Sequence, residues 1–310
     1  MKIGDQTIQV SNRDKVLFPS DGLTKGDLID YYLSVADVLI PHLERYGVTM
    51  HRFPDGLEGE DFVQKSAGNF PDWIRTVTIP RRRGGSFQAP IVDSKATLAY
   101  LANQAVITLH PYLSRADDLE HPDKMIFDLD PPEDSRDYEA ARQSVLDLRN
   151  VLTELDLMTW VQTTGSKGYH VVVPLDRKLE FDDVRQFAHD VALLLVRRHP
   201  ERYTVQQRKE KRQGRVFVDT LRNAYGATAV APYTVRALPG APVATPIEWD
   251  EVEQGAEPQD WALKSILNRL AQREDPWTDM LRHARSLTSR REQLEELLSE
   301  QEPAEEEESG

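Results

Sequence analysis

The segment KMIFDLDPP, residues 124–132, constrains the fold more than any other part of this 310-residue chain. Its apolar run from Met125 to Phe127 is typical of a buried strand, and Pro131 and Pro132 end that strand. From there to residue 221 the pattern runs strand, helix, strand, strand, helix, strand. This order predicts an α/β fold in which helices pack against a sheet.

The individual elements follow from hydrophobic periodicity and turn residues. In the second half we predict strands at 124–130, 158–164, 169–175 and 215–221, with helices at 137–155 and 181–199. In the first half we predict helices at 24–43 and 94–104 and strands at 47–53, 60–66 and 105–113. Thr24 and Asp27 have the spacing of a helix capping box. The rest of the C-terminal part is predicted to be helical, with residues 1–300 forming one domain and 301–310 a disordered acidic tail.

Composition excludes several classes of protein. No run of 18 or more apolar residues is present, so a membrane-spanning helix is not expected, and the N-terminus lacks a secretory signal. The chain contains no cysteine, which excludes disulfides and thiolate metal sites. A soluble cytoplasmic protein is the expectation, and any metal must be held by carboxylates, histidines or carbonyls.

The net charge of −14 is unevenly distributed. Residues 290–310 contain nine Glu and two Arg, so this tail carries half of the excess. Two basic clusters stand against that background, one at Arg81, Arg82 and Arg83 and the other at 202–215. Because local patches decide contacts with phosphate backbones, either cluster can bind nucleic acid or be a solvated loop.

The acidic pair Asp128 and Asp130 ends the buried run. Side chains alternate across a strand, so these two aspartates share one face while Leu129 points to the other. Two such close carboxylates repel unless a cation compensates, and Mg²⁺ or Mn²⁺ suits oxygen ligands; the alternative is two separately solvated groups. Asp219 ends a second apolar run, and three carboxylates at one edge would suit two-metal phosphoryl transfer.

The segment TTGSKGYHVVVPL, residues 163–175, has the composition of a phosphate-binding turn. Gly165 and Gly168 allow positive-φ backbone, in which successive N–H groups form an anion-binding nest. The polar side chains available to a triphosphate there are Thr164, Ser166, Lys167 and His170. A plain β-hairpin with a glycine-rich turn is the alternative. The Walker pattern is absent from this segment.

Three segments resemble a known family. FDLDPP, TTGSKGYHVVVPL and the stretch GRVFVDTLRNAYGATAVAPYTVRALPGAPVATPIEWDEV are similar to the polymerase domain of bacterial DNA ligase D, in the archaeo-eukaryotic primase superfamily. The resemblance extends from about residue 11 to about residue 290. It implies a primase-polymerase fold, with two sheets and flanking helices around a central cleft and an RRM-like catalytic core packed against an N-terminal part.

The resemblance also implies roles for individual residues. It places Asp128, Asp130 and Asp219 on the catalytic metal ligands. It places Thr164, Ser166, Lys167, His170 and Arg236 on the triphosphate and His110 near the nucleotide sugar. Arg52 and Lys65 would lie in a strand pair that lines the cleft. Lys15 and Lys25 would bind the 5′-phosphate of a DNA end, and Arg81, Arg82 and Arg83 would lie on a loop that brings two DNA ends together.

The chain departs from the family pattern at residues 62–66, where FVQKS replaces the usual FFQKH. Phe62 remains able to stack on a template base, whereas Val63 replaces the second aromatic and Ser66 the histidine. Thr164 replaces the usual Ser and keeps the hydroxyl. The sequence contains no ligase or nuclease motif, so we expect either a stand-alone polymerase or part of a longer protein.

The implied activity is metal-dependent addition of nucleotides to DNA ends or to short gaps with a 5′-phosphate, in non-homologous end joining. The implied cofactors are two Mn²⁺ or Mg²⁺ ions, the substrates are NTPs or dNTPs with ribonucleotides preferred, and Ku and a separate DNA ligase are candidate partners. Two alternatives stay open. One is a non-catalytic protein that binds or bridges DNA ends. The other is a D-x-D phosphatase, which the position of the pair and its Pro-Pro neighbours disfavour.

Overall fold

The computed structural model describes residues 1–131 and 138–301. The helices are α1 (Lys25–Ser34), α2 (Ala36–Leu39), α3 (Lys95–Asn103), α4 (Tyr138–Glu154), α5 (Phe181–Arg198), α6 (Trp249–Glu253), α7 (Ile266–Leu270) and α8 (Arg291–Glu300). The strands are β1 (Lys2–Ile3), β2 (Gln6–Thr7), β3 (Val16–Phe18), β4 (Leu23–Thr24), β5 (Val48–Arg52), β6 (Phe62–Gln64), β7 (Thr76–Pro80), β8 (Ser86–Pro90), β9 (Val106–Pro111), β10 (Ser114–Arg115), β11 (Asp118–Pro122), β12 (Lys124–Asp130), β13 (Trp160–Thr163), β14 (Tyr169–Pro174), β15 (Tyr203–Thr204), β16 (Val216–Asp219) and β17 (Thr245–Ile247).

A six-stranded sheet in the order β15-β16-β12-β14-β13-β17 forms the centre of the molecule. All neighbours are antiparallel except β15 and β16. Met125, Phe127 and Leu129 of β12 point into a core formed with helices α4 and α5. The alternate residues face away from these helices, and Ile126 packs in a separate small cluster with Leu113. The sheet is therefore covered on both faces, and its polar row lies on the side away from α4 and α5.

A three-stranded sheet, β6-β5-β9, lies in the N-terminal half and shares a core with α1 and α3. The segment 228–235 runs beside β9, and the Ala231 amide donates to the Leu109 carbonyl at 3.0 Å. The Tyr31 hydroxyl donates to the Tyr233 carbonyl at 2.7 Å, and the Tyr32 hydroxyl contacts Thr234 at 2.9 Å. These buried bonds hold the segment, which follows β16 in the chain, against the N-terminal sheet.

The α/β class is confirmed, as is the order of elements from 124 to 219. The predicted capping box is present, since the Asp27 amide donates to the Thr24 hydroxyl and the Thr24 amide to the Asp27 carboxylate. The single helix predicted at 24–43 is wrong. α1 ends at Ser34, α2 is a separate helix, and a 3-10 turn follows over Ile40–His42, where Pro41 removes a donor.

Four hairpins were missed, β1–β2, β3–β4, β7–β8 and β10–β11, because none of their strands is longer than five residues. The helical prediction for the C-terminal part is also mostly wrong, since α7 and α8 are separated by turns and 3-10 segments. No helix within residues 1–131 and 138–301 is long and apolar enough to cross a membrane. Pro132 and nearly all of the predicted acidic tail, residues 302–310, lie outside the described residues.

Candidate active site

Strand register brings the predicted acidic residues together. In the antiparallel pairing of β12 with its two neighbours, Asp128 lies directly opposite Asp219 on one side and His170 on the other. Directly paired residues point to the same face of a sheet, so the three side chains form one row. Asp130 lies two residues along β12 on the same face. The four polar side chains therefore share one surface, with Asp128 and His170 almost fully buried.

The charge of the two outer carboxylates is only partly compensated. Burial, with repulsion from Asp128 and Asp219, raises the pKa of Asp130 to about 6. Burial also raises the pKa of Asp219, and Asp128 adds to that effect. Low-dielectric surroundings and like charges both disfavour ionisation, so this surface is a favourable place for a cation.

Asp128 behaves differently because Arg222 and His170 already contact it. Burial opposes its ionisation, but His170 and Arg222 together lower its pKa to about 2. Arg222 donates to Asp128 Oδ2 through Nη2 at 3.1 Å and through Nε at 3.2 Å. His170 Nε2 lies 3.5 Å from Asp128 Oδ1. The central carboxylate is thus ionised and held in place.

Arg222 is a site residue that the sequence interpretation missed. It lies in a 3-10 turn, Leu221–Asn223, directly after β16. In the same turn, Asn223 accepts from the Ile126 amide at 2.8 Å and donates to the Ile126 carbonyl at 2.7 Å, which fixes the turn against β12. The available signal was a basic residue three positions after Asp219, a spacing that alone does not identify a carboxylate partner.

The turn between β13 and β14 lies beside the acidic row. Gly165 has φ +63°, and a Cβ there would lie 2.8 Å from Arg236 Cγ. Gly168 does not have positive φ, contrary to prediction. It is needed for close approach, because a Cβ would lie 2.2 Å from the Leu129 carbonyl oxygen and 3.4 Å from Asp130 Oδ1. Only glycine lets this turn pack against the end of β12.

The Thr164 hydroxyl organises the turn. It donates to the Gly168 carbonyl at 2.9 Å and accepts from the Ser166 and Gly168 amides at 3.3 and 3.4 Å. These two amides therefore point at Thr164, and the predicted nest of outward-facing N–H groups is wrong for them. Ser166 is half-buried and Lys167 is exposed, so both lie on the outer side of the turn.

Arg236 and His110 lie close to the acidic row, since Arg236 interacts with Asp128 and Asp130, and His110 with His170. Arg236 donates through Nη1 to the Thr164 carbonyl at 2.6 Å, which attaches the 228–235 segment to the turn. Burial lowers its pKa, and Arg222 contributes in the same direction. Burial, together with Arg236, Arg222, His51 and His170, lowers the pKa of His110 to about 3. His110 is therefore a neutral imidazole among cations, able to hydrogen-bond without adding charge.

The N-terminal sheet carries the next set of predicted residues. Arg52 is held by the Gln104 carbonyl at 3.0 Å and by Gln64 Oε1 at 2.7 Å, and its guanidinium lies 5.1 Å from the centroid of the Phe62 ring. Phe62 is 45% exposed, and the neighbouring Val63 is 58% exposed. The exposed Phe62 ring is able to stack on a base, whereas Val63 has no ring and points to the opposite face of β6. Lys65 is exposed and lies one residue beyond β6, so the prediction that it belongs to the strand pair is wrong.

Lys15 and Lys25 lie close together, as the resemblance implied. The Lys25 amide donates to the Lys15 carbonyl at 2.8 Å. Burial, with repulsion from Lys15, lowers the pKa of Lys25, whose side chain contacts Ser11 at 3.4 Å. Lys15 pairs with the exposed Asp55 at 2.6 Å. A buried lysine held beside a second lysine is a suitable site for a phosphate.

Arg81, Arg82 and Arg83 form the tip of the β7–β8 hairpin. Arg82 lies 3.4 Å from Asp182 at the start of α5, and its guanidinium lies 5.4 Å from the centroid of the Tyr225 ring. Arg81 lies over the Phe87 ring, 5.3 Å from its centroid. The basic tip thus lies against α5 and Tyr225 rather than projecting alone into solvent.

Coordination of a metal requires some rearrangement of the site. No group of three His, Asp or Glu side chains in the described parts of the chain is arranged to hold an ion as it stands. The chemistry of the donors nevertheless fits a hard divalent cation, because Asp130 and Asp219 are carboxylates with raised pKa on the same face as Asp128.

Comparison with known proteins gives a consistent result. The model of the LigD primase-polymerase domain matches residues 24–277. The multifunctional non-homologous end joining protein LigD of Mycolicibacterium smegmatis is 34% identical over 281 residues, which cover 89% of this chain and 36% of that protein. The bifunctional non-homologous end joining protein LigD of Bacillus subtilis is 28% identical over 280 residues, 89% of this chain and 44% of that protein.

Among solved structures, the polymerase domain of Mycobacterium tuberculosis ligase D in complex with DNA superposes with a TM-score of 0.83 at 31% identity. The match covers 91% of this chain and 100% of that one. The present chain therefore spans well under half the length of these curated relatives but the whole of the solved domain.

Proposed function

The chain belongs to the LigD primase-polymerase domain family, and from this premise we propose that it adds nucleotides to DNA ends and short gaps during non-homologous end joining. The observation that carries the proposal is the row of Asp219, Asp128 and His170 across three adjacent strands, next to a glycine-dependent turn. Acidic and phosphate-binding groups on one surface are what nucleotidyl transfer requires.

Asp128, Asp130 and Asp219 would hold two Mn²⁺ or Mg²⁺ ions. When bound, these ions would lower the pKa of the primer 3′-hydroxyl and neutralise charge on the leaving phosphates. The protein prepares for this with carboxylates whose repulsion a cation relieves. Arg222 keeps Asp128 ionised and oriented in the absence of substrate.

The reaction is attack of a primer 3′-hydroxyl on the α-phosphate of the incoming nucleotide, in line, with release of pyrophosphate. Lys167, His170 and Arg236 would offset charge on the β- and γ-phosphates, and Ser166 would donate from the same turn. Thr164 would act mainly through the shape of the turn. His110, neutral and half-buried beside Arg236, would lie near the sugar and accept or donate one hydrogen bond without repelling the cations.

The DNA would lie across both halves of the molecule. Lys15 and Lys25 would bind the 5′-phosphate on the downstream side of a gap, and Phe62 would stack on a template base with Arg52 behind it. Lys65 and the hairpin tip Arg81–Arg83 would contact DNA phosphates. Binding should therefore weaken steeply with salt. With DNA as substrate, the site of action would be the bacterial nucleoid.

The proposal includes a preference for ribonucleotides and Mn²⁺, and Ku and a separate DNA ligase as partners. These follow from the family resemblance, and the end-joining names of the relatives support the repair context. A deoxyribonucleotide lacks the 2′-hydroxyl, so any preference must come from the sugar side of the site, where His110 would lie.

Extension of a gapped duplex with a 5′-phosphate tests the proposal. We expect nucleotide addition only with Mn²⁺ or Mg²⁺, more with NTPs than dNTPs, and loss by orders of magnitude in Asp130→Ala. Ser144→Ala, on α4 and remote from the acidic row, serves as control. DNA binding without addition would indicate a non-catalytic end-binding protein, and hydrolysis of a simple phosphate ester without addition would indicate a phosphatase; either would refute the proposal.

A further inference from the structure

Gln162 is a buried polar residue that directly neighbours the acidic row. It lies on β13 opposite His170 of β14 and is 1% exposed, while His170 is 2% exposed. Its Nε2 lies 3.2 Å from His170 Nδ1 and also 3.2 Å from the Val230 carbonyl oxygen. The row across the sheet therefore continues from Asp219, through Asp128 and His170, to Gln162.

The Val230 carbonyl determines which way the Gln162 amide points. A carbonyl oxygen can only accept, so the atom of Gln162 that faces it must be the NH₂ group. That group carries two hydrogens, and its second neighbour is His170 Nδ1. Since a donor faces Nδ1, this ring nitrogen must be the acceptor. The Val230 carbonyl, acting through the Gln162 amide, thereby determines which nitrogen of the His170 ring carries the proton.

The amide oxygen of Gln162 is buried in this orientation. Among the described residues, Gln162 Oε1 has no hydrogen-bond partner. The flipped amide would instead set this oxygen against the Val230 carbonyl oxygen, so that two acceptors would face each other. The orientation that leaves Oε1 unpaired is therefore the one that the Val230 carbonyl requires.

We propose that Gln162 is a positioning residue that fixes His170 as the tautomer with its proton on Nε2, directed at Asp128 and at the phosphates of the incoming nucleotide. The inference rests on the proposed function, in which His170 contacts the triphosphate. With the proton on Nε2, the ring presents a donor to Asp128 Oδ1, 3.5 Å away, and to any phosphate oxygen that approaches. The other tautomer would present a lone pair to a carboxylate and to phosphates, and would repel both.

The tautomer is measurable without any activity assay. In ¹⁵N NMR spectra of the full chain at mildly alkaline pH, with the His170 signals assigned by their loss in His170→Ala, we expect a protonated Nε2 and an unprotonated Nδ1. In Gln162→Glu the side chain can only accept when ionised, so the proton should move to Nδ1. A wild-type spectrum with the proton on Nδ1 would overturn the inference, and this measurement does not depend on any variant folding.

Kinetics provide the second readout. In Gln162→Met, which keeps the length and removes the donors, we expect kcat/KM for nucleotide addition to fall about 10–100-fold, as when other histidine-orienting groups are lost. Ser144→Ala removes a buried hydroxyl on α4 and should leave kcat/KM unchanged. Wild-type kcat/KM in both Gln162 variants would overturn the positioning role. If the wild-type protein shows the proton on Nε2 but His170→Ala keeps the wild-type kcat/KM, the proposed function of the site would be overturned and the tautomer assignment would stand.

Discussion

Replacement of Asp130 by Asn should raise the stability of the metal-free protein and abolish nucleotide addition at the same time. Asp130 is half-buried and shares its face with Asp128 and Asp219. Burial and the repulsion of these two carboxylates raise its pKa from 3.8 to about 6. An Asn of nearly the same shape cannot ionise, so it removes this penalty and also removes a metal ligand.

The size and sign of the effect follow from proton linkage. The folded state holds the Asp130 proton more tightly than the unfolded state, so wild-type stability falls as pH rises from about 4 to about 6. A pKa difference of about two between the folded and unfolded states corresponds to roughly 3 kcal/mol in the free energy of unfolding. Solvent screening at a half-buried site reduces this to about 1–3 kcal/mol. At neutral pH the full penalty is present, and the variant should be more stable by that amount.

Urea unfolding with EDTA at neutral pH, for wild type and Asp130→Asn, measures the stability difference. Gap extension with Mn²⁺ measures activity on the same samples. Asp37→Asn is the matched control, because Asp37 is 82% exposed and pairs with Lys95 at the surface, so its stability should change little. Added Mn²⁺ should stabilise wild type more than Asp130→Asn, since a ligand that binds only the folded state adds to its stability.

A less stable Asp130→Asn would show that Asp130 makes favourable contacts and would refute the assignment of only partly compensated charge. Wild-type activity in the variant would refute its role as a metal ligand. The combination of higher stability with lost activity is specific to a site where like charges are kept together for function.

Three further predictions test other parts of the structure. Gly168→Ala should destabilise the protein by at least about 1–3 kcal/mol in urea unfolding, because its Cβ would meet the Leu129 carbonyl at 2.2 Å; a neutral change would contradict the close approach. Lys25→Ala should bring the affinity ratio of 5′-phosphorylated to 5′-hydroxyl gaps toward one, a loss of about tenfold or more, since a charged hydrogen bond contributes about 1.5–3 kcal/mol; an unchanged ratio, with Lys95→Ala as control, would contradict the assigned phosphate site. Asp123→Asn should lower the free energy of unfolding by about 3–5 kcal/mol, because the two cations that pair with Asp123 would lose their carboxylate partner. Burial opposes ionisation of Asp123, but its cationic partners lower its pKa. The stability that the ionised carboxylate contributes should therefore be lost from wild type, but not from the variant, as pH falls below about 4. Equal loss of stability in acid for the two proteins would contradict this prediction.

The sequence best predicted those features of the site that depend on a local pattern, such as the alternation of side chains along a strand. Alternation on β12 correctly separated Leu129 from its acidic neighbours, and the apolar run before Asp219 correctly indicated a strand of the same sheet. Neither rule specifies register. That Asp128 faces Asp219 rather than Val218 depends on how β16 aligns with β12, which only the folded chain decides.

The residues that the sequence did not identify act across long separations. Arg222 contacts Asp128 from 94 positions away, and Gln162 reaches Val230 across 68. A single arginine or glutamine carries no local signal of such contacts. The role of Gly168 was misassigned for a similar reason, since its glycine requirement comes from the Leu129 carbonyl and not from its own φ.

The most direct test of the central claim is a crystal structure with Mn²⁺ and a non-hydrolysable nucleoside triphosphate, with the ions located by anomalous scattering. The account predicts Mn²⁺ bound by the carboxylates of Asp128, Asp130 and Asp219, with the triphosphate between them and the turn at Gly165–Gly168. Ions bound elsewhere, or a triphosphate that contacts none of these groups, would contradict it.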